Sequence, residues 1–141
     1  NYEHIKRIVN SMANFASAKG FTLTCVVIPL KSRVYEWVLH DKKPWTSDRS
    51  QSAFSIFFQD LCKSNHINFT DLTPGFINSS KMVYEENGEA LYWLNDDHWN
   101  DIGQRIAASI IDKSIKRWLE SNYQKAGFSH KDAPKMIAPN K

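Results

Sequence analysis

Apolar side chains at Ile5, Ile8, Val9, Met12, Ala13 and Ala16 recur every three or four residues and stop at Gly20, which predicts an amphipathic helix. The period then changes. Residues 22–28, TLTCVVI, form a β-branched and nearly continuous apolar run ended by Pro29, the pattern of a parallel-sheet strand covered on both faces. Residues 31–46 mix Tyr35, Trp37, Pro44 and Trp45 with charges and read as a loop holding one helical turn. From a cap at Asp48 or Ser50, the positions Phe54, Phe57, Phe58, Leu61 and Cys62 predict a second helix ending at Asn65. Residues 67–72, INFTDL, alternate like a short strand, and Thr73, Pro74 and Gly75 are expected to break it. An irregular connection with a turn at Asn87 and Gly88 is expected over 76–91. Ile102, Ile106, Ile110, Ile111, Ile115, Trp118 and Leu119 then mark a long final helix capped by Asn100 or Asp101.

Helix, strand, helix, strand, loop, helix is the order of a layered α/β domain with helices against a parallel sheet. Two strands make a small sheet, whereas a doubly wound domain usually has about five. The chain opens on Asn1 and not on methionine, so it is expected to be the later part of such a fold, with earlier strands preceding Asn1. Its 141 residues and 42% hydrophobic content suit one core-forming domain. That domain is assigned to residues 1–122, and the polar residues 123–141, without apolar periodicity, to a C-terminal extension.

Charge and cysteine content narrow the function classes. The net charge of +3 is dispersed along the chain, unlike the basic stripe of a nucleic-acid-binding protein. No apolar run reaches the roughly 20 residues of a membrane span, and no signal peptide opens the chain. Cys25 and Cys62 lack histidine neighbours at zinc-site spacing and read as buried thiols, with a disulfide permitted but not implied. Asn68-Phe69-Thr70 and Asn78-Ser79-Ser80 fit the glycosylation acceptor pattern, which is short and common by chance.

The densest chemistry lies in YWLNDDHWNDIG at 92–103. Asp96 and His98 are two residues apart, so in an extended loop both side chains project to one side and the carboxylate can brace the imidazole. A braced imidazole is a general base; the competing reading of His98 is a structural hydrogen-bonding residue. Asp97, Asn100 and Asp101 are better read as capping and dipole compensation ahead of the final helix. Trp99 offers an apolar wall for the imidazole or for a substrate site. No metal is implied, because His40 and His66 have no companions at ligand spacing, and no cofactor is implied either.

VVIPLKSRVYEWVL at 26–39, INFTDLTPGF at 67–76 and YWLNDDHWNDIGQRIAASII at 92–111 together resemble the C-terminal half of SGNH hydrolases. The nearest branch is that of the alginate O-acetyltransferases, whose Asp-x-His-Trp motif corresponds to Asp96, His98, Trp99, Asn100 and Gly103. The resemblance implies a flavodoxin-like three-layer α/β/α domain and a Ser-His-Asp triad acting on acyl esters, often on carbohydrate. It makes His98 the base and Asp96 its orienting acid. More typical members carry the acid three residues before the histidine, where this chain has Asn95.

A nucleophile is not legible. No Gly-Asp-Ser strand end precedes His98, none of Ser32, Ser79 or Ser80 sits in such a turn, and the oxyanion-hole segments of the family are not recognisable. Where the family serine follows the histidine motif, only Ser109, Ser114, Ser121 and Ser129 follow here, the first three on or at the end of the final helix. The serine is therefore expected on a missing N-terminal segment or a complementary chain, leaving this chain inactive by itself. The leading function is a portion of an SGNH-type esterase or O-acyltransferase, at an extracytoplasmic location if the polysaccharide analogy holds. The alternative is a noncatalytic carbohydrate-binding or scaffold domain, with Trp37, Trp45, Tyr92 or Trp93 stacking on sugar rings. A flavodoxin-like nucleotide site lacks the glycine-rich phosphate loop it needs after Ile28 or Leu72.

Overall fold

The computed structural model describes residues 2–39 and 51–125. Helix α1 covers Tyr2–Lys19, with Gly20 at φ 71° ending it in the left-handed conformation that glycine adopts without a Cβ penalty. Strand β1 covers Thr24–Val27. Two short helical turns follow, α2 over Lys31–Val34 and α3 over Glu36–Leu39, where one turn within a loop was expected. Helix α4 spans Ala53–Ser64, and its N-cap is Ser52, whose hydroxyl accepts from the Ser55 amide at 3.0 Å. Asp48 and Ser50, the expected caps, lie outside the described residues along with Trp45 and 126–141; the cap lies two residues beyond Ser50.

Strand β2 covers Asn68–Asp71 and runs parallel to β1 in a register pairing Thr24 with Asn68 and Val27 with Asp71. Alternation along the strands sends side chains to opposite faces. On one face Cys25 and Phe69 pack with Val9 of α1 and with Phe58 and Cys62 of α4. On the other, Val26 joins Leu72, Phe76 and Ala107 in the main core. The result is a three-layer α/β/α arrangement around a parallel sheet that has two strands among the described residues. The fold class is the one expected.

Three expectations need correction. The stretch after β2 is not irregular: helix α5 spans Thr73–Asn87. Pro74 sits in its first turn, where a missing N–H costs nothing, and the Asp71 carboxylate accepts from the Thr73 amide at 2.8 Å. Gly88, at φ 68°, ends the helix at the expected turn. Strand β1 is also less covered than its apolar run implied. Cys25, Val26 and Val27 are half-buried because β1 is paired along one edge, by β2, among the described residues. Finally, Cys62 is fully buried as expected, but Cys25 is only half-buried. Burial pushes the Cys62 thiol up to about 12.

Helix α6 covers Asp101–Lys125 and lays Ile102, Ile106, Ile110 and Ile111 against the main core. Thr70 on β2 donates to Ser114 on this helix at 2.5 Å, tying the sheet to it through a polar pair. Among the described residues no helix is long and apolar enough to cross a membrane.

Candidate active site

The segment between α5 and α6 is a small closed loop built on Asn100. Its amide donates to the Leu91 carbonyl at 3.1 Å, and its side-chain amide donates to the Ala90 carbonyl at 2.6 Å. The same side chain caps α6, Oδ1 accepting from the Gly103 amide at 3.0 Å. A bridge between Tyr92 and Trp99 pairs the two sides antiparallel, and a turn from Trp93 to Asp96 closes the tip. Gly103 is required by this geometry, because a Cβ there would meet the Leu91 carbonyl and approach Trp99 Cβ to 3.0 Å. The spacing of Trp99, Asn100 and Gly103 thus describes a loop docked onto the first turn of a helix.

Asp96 and His98 meet at the tip of that loop. Asp96 Oδ1 accepts from the His98 backbone amide at 2.9 Å and is also bonded to His98 Nδ1. The two side chains converge through an Asx-type bend, not through the extended alternation anticipated, because Asp96 to His98 are bent backbone. A carboxylate can only accept, so the bond assigns the proton to Nδ1 and leaves Nε2 with its lone pair. The hydrogen bond from His98 holds the Asp96 carboxyl below the usual carboxylate range, so it stays ionised in this role. The His98 side chain is 85% exposed and that of Asp96 50% exposed. The pair is therefore open to an incoming group.

The other residues singled out take different places. Asp97 and Asp101 are exposed, Asp101 in the first turn of α6. Trp99 turns inward, its ring 5.0 Å from that of Phe76, as a half-buried part of the core. Trp93 is 56% exposed beside the pair. Tyr92, at 2% exposure, is a core residue, and Trp37 is half-buried, its indole donating to Ser80 at 2.9 Å. Tyr92 therefore presents no open face for stacking. Ser80 is fully buried, Ser109, Ser114 and Ser121 lie along α6, and Ser32 lies exposed in α2, the helical turn after β1.

Residues 29–35 contribute what periodicity did not suggest. The Tyr92 hydroxyl donates to the Pro29 carbonyl at 2.9 Å, and the Tyr35 hydroxyl accepts from the Leu91 amide at 2.7 Å. Burial raises both phenols, Tyr92 to about 12, so each keeps its proton. Asp71, at the end of β2, likewise joins two helices, accepting from Ser55 of α4 as well as from Thr73. A cavity of about 540 Å³ opens at the carboxyl end of β1, with Ile28, Leu30, Phe54 and Phe58 in its wall and none of residues 92–99. It is apolar and distinct from the Asp96–His98 pair.

Open α/β domains gather their sites beyond the carboxyl ends of their strands, and the loop carrying Asp96 and His98 is tied to residues just past β1 through Tyr92 and Pro29. The family model described as SGNH hydrolase-like domain, acetyltransferase AlgX, matches residues 1–136, and the chain belongs to that family. Searches of curated proteins and of solved structures found no match.

Proposed function

We propose that this chain supplies two members of a Ser-His-Asp triad in an SGNH-type esterase or O-acyltransferase. His98 is the base, Asp96 orients it, and the serine lies on a segment or chain outside these residues. The observation that carries the reading is the single Asp96 oxygen bonded to both the amide and Nδ1 of His98, beside an imidazole whose far side is open.

Nε2 takes the serine proton as Oγ attacks the acyl carbon, and then returns it to the departing alcohol. Asp96 stabilises the imidazolium that forms between those steps. Water or a sugar hydroxyl next accepts the acyl group from the serine, again through Nε2, giving hydrolysis or transfer. Acetylated carbohydrate is the substrate class, in keeping with the acetyltransferase family, and Trp93 is the exposed aromatic placed to stack on a sugar ring near the pair. The same family relationship supports an extracytoplasmic location.

The test is hydrolysis of p-nitrophenyl acetate by the intact protein. His98→Ala is expected to lower kcat/KM by about 10²–10⁴-fold. Wild-type turnover in that variant would remove His98 from the mechanism. Saturable oligosaccharide binding with no acyl turnover in the intact wild type would favour a carbohydrate-binding domain instead.

A further inference from the structure

Lys31, in the first turn after β1, reaches across to the histidine loop, 62 to 65 residues away in sequence. Its ammonium donates to the carbonyls of Trp93 at 2.7 Å, Leu94 at 2.9 Å and Asp96 at 3.1 Å. An ammonium has three protons, and three acceptors match them, so this lysine is wholly committed to the loop backbone. Charged donors make the stronger hydrogen bonds, and here they fall on the turn that carries Asp96. Nothing else bonded to that tip comes from outside the loop among the hydrogen bonds of the described residues. Tyr92 and Asn100 hold its base, on either side of the tip.

We propose that Lys31 is the positioning residue of the Asp96–His98 pair, its ammonium fixing the 93–96 turn so that Asp96 Oδ1 meets Nδ1. The role rests on the reading of that pair as base and orienting acid. Lys31 touches neither substrate nor the reacting nitrogen; it acts through the backbone that presents them. A small displacement of a base from its acceptor is enough to lower turnover by about a hundredfold. Arginine keeps the charge, but its planar fork cannot spread over three converging carbonyls as a tripod does, so Lys31→Arg should restore only part of the effect.

The test uses the intact protein and two independent readings. By NMR, the Lys31 ammonium should give slowly exchanging protons coupled to the carbonyls of Trp93, Leu94 and Asp96. In Lys31→Met the amides of Asp96 and His98 should exchange about tenfold faster while those of β1 and β2 are unchanged. In the ester assay Lys31→Met should lower kcat by about ten- to a hundredfold with little change in KM, Lys31→Arg should recover part of it, and Lys116→Met should match wild type. Absence of ammonium coupling in the wild type overturns the proposal even if Lys31→Met does not fold. Unchanged kcat in Lys31→Met, where His98→Ala is inactive, overturns the positioning role alone. Unchanged turnover in His98→Ala overturns the catalytic reading beneath it, whatever the NMR arm reports.

Discussion

Asn100 performs two tasks that substitution can separate. Its Oδ1 caps α6 at Gly103, and its Nδ2 holds the Ala90 carbonyl at 2.6 Å. Losing an N-cap costs about 1 kcal/mol, and losing a hydrogen bond to a half-buried carbonyl costs about 1 kcal/mol more. Asn100→Ala should therefore destabilise by about 2 kcal/mol, a fall in Tm of roughly 8 °C for a domain of this size. Asn100→Ser keeps a capping oxygen but cannot reach Ala90, so it should lose about 1 kcal/mol. Asn100→Asp keeps the cap and gains from the helix dipole, yet turns an acceptor toward the Ala90 carbonyl and should fall between wild type and Ala. Urea denaturation gives the ranking, and exchange of the Gly103 amide checks its cause, with protection kept in Ser and Asp and lost in Ala. A Ser variant as stable as wild type would refute a contribution from the Ala90 bond, and a Ser variant as weak as Ala would refute the cap.

Gly103→Ala should cost about 1–3 kcal/mol in the same assay despite alanine's better helix propensity, because its Cβ meets the Leu91 backbone. Gly75→Ala should be near neutral, since the atom it meets, Ile110 Cδ1 at 2.5 Å, is the movable end of a side chain; equal losses at the two sites would contradict this contrast. Asp96, depressed by the bond from His98, should titrate below the ordinary carboxylate value of about 3.9 in a carbon-detected NMR titration, and His98→Ala should raise it. With the folded value lowered, the contribution of the Asx bend to loop order is complete above that ordinary value and is lost only as pH falls through the folded one. Loss of the His98 amide bond at pH 5 would contradict it.

The elements that declare themselves by period are legible: α1, both strands, α4 and α6 follow from the spacing of their apolar residues. Helix α5 is not, because Thr73-Pro74-Gly75 has the composition of a breaker, whereas a proline in a first turn is a helix start. The helical spacing of Phe76, Ile77, Ser80 and Val83 was the signal to set against it. At the site, the two-residue separation of Asp96 and His98 was enough to expect their pairing, and Asn100 was one of two named caps. The means of pairing was hidden, since an Asx bend and an extended loop allow the same spacing. Lys31 and Asp71 stand in the Pro-x-Lys and Asp-Leu-x-Pro segments that carry the family resemblance, but their roles, like that of Tyr35, have no local signature, because their partners lie far along the chain or in another element.

The histidine loop has an apolar root and a polar tip. Tyr92 buries its ring against Phe76 and Tyr35, while the residues from Trp93 to His98 are exposed and have no core contact to order them. Apolar burial therefore fixes where the loop leaves the domain but not where its tip points. Direction must come from hydrogen bonds, and those tying the root and tip to the rest of the domain are made with residues 29–35, just beyond the carboxyl end of β1. That end is where open α/β sheets gather their ligands. Tying the loop there, and not to its neighbours in sequence, makes the position of His98 follow the strand end. Changes at Lys31 or Tyr35 should consequently reach the imidazole without touching it.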